Sequence, residues 1–539
     1  MKQAPTLNQY NEAILHPGTA FSDPVLAAGK AQLSPLGVPL VLCGNFAYSY
    51  VLNCGSQKYG VRCFRNVTPD LDSRYAAIST RIKNLHSPWF IDFDYQPKGI
   101  SIDGNWWPIL KMEWVPGETL GTFMENCHAD AQALANLDDS LNRLSKFLRN
   151  NGIAHGDIQP GNIMVADNGR SLRLIDYDGM YLDEISHLGC LELGLRNFQH
   201  PGREPSAWGP GIDGFSFILL HVVLTILQAD PSIWHSTKSD SDIFIFTAND
   251  LASPQDSATF SQLLGNSRFE SLARKLQRLC LSPVASVTTL AEFLGRSTDI
   301  SLVPTERFNL VKHYLGNYPV MDALNYDMCL INVGSVVELV GRITEVKRGY
   351  TRHHRPYVFI NFTDWKGKAV KISIWPQMLK KAERDFDSLK DKYISITGLL
   401  EPPYEGYSYT HISINYSDQT PLREISQAEA EFRLKSIGQP AYDASSTGQP
   451  HSERTSRRAN KQILDALNSQ WASGKQIRPC PRCGKGLRFP AHGTFDVTCP
   501  ACRHTFRSQG TAQSDSGEPR HTRSNADILR DLEKRFSSS

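Results

Sequence analysis

His155-Gly-Asp157-Ile-Gln159-Pro-Gly-Asn162-Ile-Met-Val165, followed after a short loop by Leu172-Arg-Leu-Ile175-Asp176-Tyr177-Asp178-Gly179, decides the reading of the first half of the chain. Asn162 stands five positions after Asp157, and Asp176 closes an apolar strand. Phosphoryl transfer asks little covalent work of a protein and much positioning. It needs a carboxylate to take the proton of the attacking hydroxyl, and separate oxygen ligands for the metal ions that neutralise the phosphates. Asp157 has the spacing of the base, and Asn162 and Asp176 have that of the magnesium ligands. Asp, Asn and Pro-Gly also build ordinary turns, but a turn does not call for all of them at this joint spacing.

The run matches the H-x-D-x-x-x-x-N and D-F-G pattern of kinases. Over roughly residues 20–298 the chain resembles the atypical, bacterial-style protein-kinase-like enzymes. Its HGD loop is more similar to the RIO-type and aminoglycoside-phosphotransferase branches than to the HRD loop of standard eukaryotic kinases. The resemblance implies a bilobal fold, with an N-lobe over about 20–115 and a C-lobe over about 116–298. It also implies ATP and Mg2+ as cofactors and a protein substrate. Gln159 stands where Ser/Thr kinases carry Lys, and Tyr177-Asp178 replaces Phe-Gly.

The remaining parts of such a site follow in order. Leu42-Cys-Gly44-Asn-Phe46-Ala47-Tyr-Ser49-Tyr-Val51 occupies the place of the glycine-rich hairpin, with Gly44 alone of its usual glycines. Small residues at 47 and 49 still let backbone N–H groups approach phosphates. Arg62 stands where the fold family has the lysine that contacts the α- and β-phosphates, and its planar fork is not equivalent to a compact ammonium. The helix expected at about 71–85 holds Asp72 and Arg74, and no Glu occurs between Arg62 and Glu113. Arg62 is therefore expected to pair with Asp72 or with another carboxylate. Met112, Glu113 and Val115 end a strand where the adenine-lining hinge would lie. Asp213 opens the apolar run 215–227, read as a buried central helix with Asp213 bonding the backbone of the catalytic loop.

Composition agrees with a multidomain α+β chain: 539 residues, 40% hydrophobic and 21% charged, with a net charge of +2. The N-terminal MKQAPTLNQY has no apolar core of a signal peptide, and 215–227 is short for a bilayer, so no membrane association is expected. Of the 11 cysteines, seven stand singly between residues 43 and 329, as thiols of a reducing compartment do, and the cytoplasm is the expected location.

The other four make the second strong motif. Cys480-Pro-Arg-Cys483 and Cys499-Pro-Ala-Cys502 are separated by fifteen residues. Two such knuckles present four thiolates to one tetrahedral Zn2+. The segment 476–508 resembles a zinc ribbon, followed by a tail at 509–539; a pair of redox dithiols is the other reading.

Between these units, 335–347, 357–363, 369–375, 392–399 and 409–415 alternate with the period of half-buried strands, and 376–386 reads as a helix. Five strands with that helix resemble an OB-fold, a small β-barrel, over 329–425. Residues 299–328 read as a linker, and 426–475 as a flexible linker holding one short helix. Arg342, Lys347, Arg348, Arg352, Arg355, Lys366, Lys368 and Lys371 are interleaved with Tyr350, Tyr357, Phe359, Trp365 and Trp375. Such a mix suits single-stranded nucleic acid; the plainer reading is a solvated basic face over core aromatics.

These features imply an atypical Ser/Thr protein kinase with nucleic-acid- or protein-binding modules, of a kind used in bacterial signalling or defence. Arg62 and the missing Glu point instead to a pseudokinase scaffold. A nucleic-acid-binding protein with a vestigial kinase half is the third reading.

Overall fold

The computed structural model describes residues 4–33, 37–43, 46–115, 117–295, 313–351, 354–382, 384–403, 410–417 and 420–437, together with the backbone of four short strands between 475 and 509. The chain is mixed α and β with several separate sheets, and its contacts divide it into two units, Met1–Ser445 and Ser446–Ser539.

The first unit begins with a six-stranded antiparallel sheet. Its central hairpin joins Ala47–Cys54 to Gln57–Phe64, and Gly55, at φ +65°, takes the left-handed turn position. The register sets Ser49 opposite Arg62 and Gly60 opposite Met112 of the strand Asn105–Glu113. Helix Leu71–Leu85 buries Leu71, Arg74, Tyr75, Ile78 and Ile82, one face at three- and four-residue spacing. Leu7, Tyr10 and Ile14 of the helix Leu7–Leu15 close a second core that includes Leu52 and Ile109 of the sheet.

The chain then becomes helical. Ala131–Asn150 puts Leu134, Leu137, Leu141, Leu144 and Leu148 into the large core, while Gly214–Ala229 is apolar nearly all round and correspondingly buried. No helix among the described residues is long and apolar enough to cross a membrane. Short strands Glu118–Thr119, Ile163–Ala166 and Ser171–Leu174 form a small sheet, with Asn162 directly before the second strand and Asp176 just after the third.

The β-rich region keeps four of the strands expected from period-two alternation, while the first, 335–347, splits into Val336–Arg342 and Glu345–Tyr350 of two different sheets. Val336–Arg342 pairs with Tyr393–Leu399, which pairs with Leu422–Ile425. Glu345–Tyr350, Pro356–Asn361, Ala369–Ile374 and His411–Asn415 form a second four-stranded sheet. Both sheets bury apolar faces in one core, among them Leu339, Ile360, Ile372, Ile396 and Ile414. They do not close into the expected barrel: between Arg342 and Glu345 the chain leaves one sheet for the other, and each sheet keeps its own ladder. The stretch read as a linker contributes Val320–Asp322, which adds in parallel to Val336–Arg342. Helix Gln427–Leu434 falls where a flexible segment was expected; its Arg433 meets buried Glu338.

The six-stranded sheet and the helical part each bond directly to the β-rich region. The Tyr48 hydroxyl donates to the Gly334 carbonyl at 3.1 Å, and Arg423 Nη2 donates to Asp240 Oδ1 at 2.8 Å. Arg423 also lies 3.8 Å from Asp242, whose carboxyl is pushed up to about 6 by desolvation. Removing one partner of a buried ion group leaves charge without compensation, at a cost of about 3–5 kcal/mol, and less where some solvent remains. Arg423→Met is expected to lower the unfolding free energy by about 2 kcal/mol in urea melts; an unchanged melt contradicts this role.

In the second unit Lys475–Pro479 pairs with Gly486–Pro490, and Thr494–Thr498 with Thr505–Gln509. One Cys-x-x-Cys falls in sequence between the strands of each pair; Cys480, Cys483, Cys499 and Cys502 themselves lie outside the described residues.

Candidate active site

Asp213, at the start of the buried helix, fixes the loop that carries Asp157. Its Oδ2 and Oδ1 accept the backbone N–H groups of His155 at 2.6 Å and of Gly156 at 2.8 Å, as the sequence reading expected. Gly156 has φ +81°, and a Cβ there would lie 2.0 Å from the Gly179 carbonyl oxygen, so the two loops touch backbone to backbone. The His155 ring locks the same crossing. Its Nε2 meets the Ile175 carbonyl at 3.0 Å, and its Nδ1 lies 3.3 Å from the Asp157 N–H, which assigns the neutral Nε2–H tautomer.

Asp157 is buried, and both of its oxygens are engaged. Leu195 N–H donates to Oδ1 at 2.8 Å and Asn162 Nδ2 to Oδ2 at 2.8 Å. Desolvation, helped by nearby Asp176, pushes the carboxyl up to about 6 against the pull of the Leu195 N–H. Asn162 spends only its amide N–H2 on Asp157, and Ile175 N–H donates to the Asn162 backbone carbonyl at 3.0 Å, tying the loops of Asn162 and Asp176 together.

Asp176 takes φ +65°, a region that Asp tolerates better than most residues. Arg62 resolves the question its presence raises. Its Nη1 meets Asp176 Oδ1 at 2.6 Å and its Nη2 meets Asp178 Oδ2 at 2.8 Å. Asp72 is not its partner: that carboxylate accepts the Tyr95 hydroxyl. Helix Leu71–Leu85 contributes Tyr75 in place of a Glu, its hydroxyl donating to Asp178 Oδ1. Burial opposes the charge on Arg62, but Asp176 and Asp178 outweigh it and hold the guanidinium well above its usual range.

A segment missed in the sequence passes beside this group. Glu192 is half-buried near Asp157, Asp176 and Asp178, and desolvation together with those three carboxylates raises its carboxyl well above the usual range. Gly194 has φ +74°; a Cβ there would stand 2.5 Å from Asp157 Oδ1 and 2.7 Å from Gln199 Nε2. Gly194→Ala is therefore expected to lose about 1–3 kcal/mol of stability, read in chemical denaturation; a neutral effect contradicts the close approach.

Of the residues expected on the nucleotide side, Ala47 and Val51 are buried and Phe46 and Ser49 half-buried on the hairpin that carries Arg62, while Gly44 lies outside the described residues. Met112 and Val115 are half-buried and Glu113 is exposed at the end of the neighbouring strand. Gln159 turns back on its own loop, its Oε1 accepting Gly161 N–H at 2.8 Å. Asp157–Asn162 and Arg62–Asp176 thus form two bonded pairs on loops tied by the Ile175 N–H to the Asn162 backbone carbonyl, and together they offer a carboxylate able to take a proton and oxygens of the kind that suit a hard cation. Among the described residues no cluster of three or more His, Cys, Asp or Glu side chains has the geometry of a metal site. No protein-family model matches the chain, and no curated protein is detectably similar to it.

Proposed function

We propose that the chain is an ATP-dependent phosphotransferase of the atypical protein-kinase type, with the six-stranded sheet and the helical part as its two lobes and a Ser or Thr hydroxyl of a protein as acceptor. The observation that carries this reading is the contact of Asn162 Nδ2 with Asp157 Oδ2 at 2.8 Å beside Asp176. The donor set fits Mg2+: Asn162 Oδ1 and Asp176 Oδ2 accept none of the bonds described above, and both belong to loops fixed by backbone hydrogen bonds. Bound Mg2+ would supply charge neutralisation at the phosphates.

In this reading Asp157 accepts the proton of the acceptor hydroxyl as its oxygen bonds to the γ-phosphorus and the bond to the ADP oxygen breaks. Asp213 and His155 hold the loop in place for that transfer. Arg62, which in this structure bridges Asp176 and Asp178, supplies positive charge at the phosphate side, and the chemistry requires Asp176 to keep one oxygen free of it.

A base near 6 must be ionised to act. Transfer of label from γ-labelled ATP is expected to fall about tenfold per pH unit below 6 and to level off above it. A flat profile between pH 5 and 7 contradicts the assignment of Asp157.

The four cysteines suit one structural Zn2+, since four thiolates between paired strands match its tetrahedral preference. Metal analysis is expected to find one zinc per chain and to lose it in Cys483→Ser; a metal-free chain removes this part of the account.

A specific observation favours a second property, binding of single-stranded nucleic acid by the β-rich region. Lys347 lies 3.6 Å over the Trp365 ring and Lys371 3.9 Å over that of Phe359, and Phe359 packs on Tyr357 at 4.5 Å. Cations set over half-buried rings, Phe359 on the sheet and Trp365 in the turn that follows its strand, can serve phosphates and bases together. Oligonucleotide binding that weakens steeply with salt, and further in Phe359→Ala, is the expected result.

A further inference from the structure

A cavity of about 260 Å3 lies where the helical part meets the β-rich region. Asp242 lines it from the helical part and Asn317 from the segment ahead of Val320–Asp322. Glu338 and Arg423 line it from the sheet, and Phe432 and Arg433 from the helix Gln427–Leu434.

Much of the polar wall is already spent on the protein. Glu338 accepts the Tyr314 hydroxyl at 2.9 Å and the Ser395 hydroxyl at 2.7 Å, and it pairs with Arg433. Asn249, also on the wall, donates to the His313 carbonyl at 3.0 Å and accepts from Leu315 N–H at 2.9 Å. Two atoms of lining residues are not spent. Among the described residues Asn317 Oδ1, an acceptor, and Nε of Arg433, a donor on a residue only 6% exposed, have no hydrogen-bond partner. Leaving a buried donor or acceptor unmade costs the full desolvation of that group.

Charge is unbalanced in the same sense as Asn317. Asp240, Asp242, Glu338 and Glu429 stand against the guanidiniums of Arg423 and Arg433. Arg423 gives its close bonds to Asp240 and leaves Asp242 at 3.8 Å. Desolvation raises the Asp242 carboxyl, and the pull of Arg423 does not cancel it. A carboxylate in a partly desolvated wall, with its cation turned to another acid, is completed by a further cation. The Phe432 ring adds a surface that attracts ammonium groups. A carboxylate or phosphate would instead meet the excess of acids.

From this wall we propose that the cavity binds a small organic amine that also carries an acceptor oxygen, an amino amide or amino alcohol by class. Its ammonium pairs with Asp242 and Asn317 Oδ1, and its oxygen accepts from Arg433 Nε–H. The volume lies just under the ~300–1,000 Å3 of sites for drug-sized ligands, so the ligand is no larger than an amino acid amide. Such a ligand touches the helical part and the β-rich region at once, and it binds only where the two are joined. The site is independent of the phosphotransferase reading.

Calorimetric titration of the full-length chain with amino acid amides and amino alcohols, each beside its counterpart without the amino group, tests this. At least one amine is expected to bind, its counterpart about tenfold or more weakly. The same amine is expected to lose about tenfold in Asp242→Asn and severalfold in Asn317→Ala. Asn317 stands outside the ion pairs, so its variant reports even where Asp242→Asn fails to fold. No binding by any amine of the panel overturns the proposal. Equal binding by the amine-free counterparts, or binding that folded Asn317→Ala leaves unchanged, overturns it as well.

Discussion

Asp157→Asn is expected to lower phosphoryl transfer by about 10²–10⁴-fold, the usual contribution of a positioned base, while the chain still melts as a folded protein. The substitution keeps the volume of the side chain and an oxygen able to accept either the Leu195 N–H or the Asn162 amide, each now at 2.8 Å. It removes the capacity to hold a proton. Transfer assays on the purified variant, with circular dichroism and melting in parallel, separate loss of chemistry from loss of fold. Transfer within a few-fold of the unaltered chain would show that another group takes the proton.

The largest stability effect is expected at Arg62. Its guanidinium bridges two carboxylates, and its side chain and that of Asp178 are almost fully buried, at 7% and 3% exposure. Arg62→Met leaves Asp178 buried with only the Tyr75 hydroxyl, and removing one member of such a group costs about 3–5 kcal/mol. Arg62→Lys keeps the charge but cannot make both bonds with one planar fork, so an intermediate loss is expected. Urea or guanidinium titrations measure both. Equal stability of Arg62→Met and the unaltered chain would mean that the ion group does not hold the sheet to the loop 176–179.

Local pattern carried much of this structure. The apolar spacing over 71–85 marks the helix Leu71–Leu85, and Asp213 ahead of the run 215–227 marks the anchor of the loop that carries Asp157. Alternation marks the β-rich strands because each has one face in the core. Pairing is another matter. Arg62 meets Asp176 and Asp178 across separations of 114 and 116 residues, and no periodicity carries information over that distance. The acid at 178, two positions past Asp176, was the available signal for a second partner of Arg62. Alternation likewise shows which residues face a core and not which strands share a ladder, so the two sheets could not be told from a barrel. Val320–Asp322 is too short to show a period. Glu192 and Gly194 gain their meaning only from the close approach of their segment to Asp157.

The most direct test combines transfer and binding in the same samples: label transfer from γ-labelled ATP with Mg2+ by the full-length chain, and calorimetric Mg-ATP binding, each beside Asp176→Asn. Transfer by the unaltered chain, with loss of transfer and weakened Mg-ATP binding in Asp176→Asn, is the expected result. A folded chain that neither binds Mg-ATP nor transfers label, or one whose transfer survives Asp176→Asn unchanged, contradicts the phosphotransferase reading; the first outcome would leave the Arg62–Asp176–Asp178 group as the structural clasp of a scaffold.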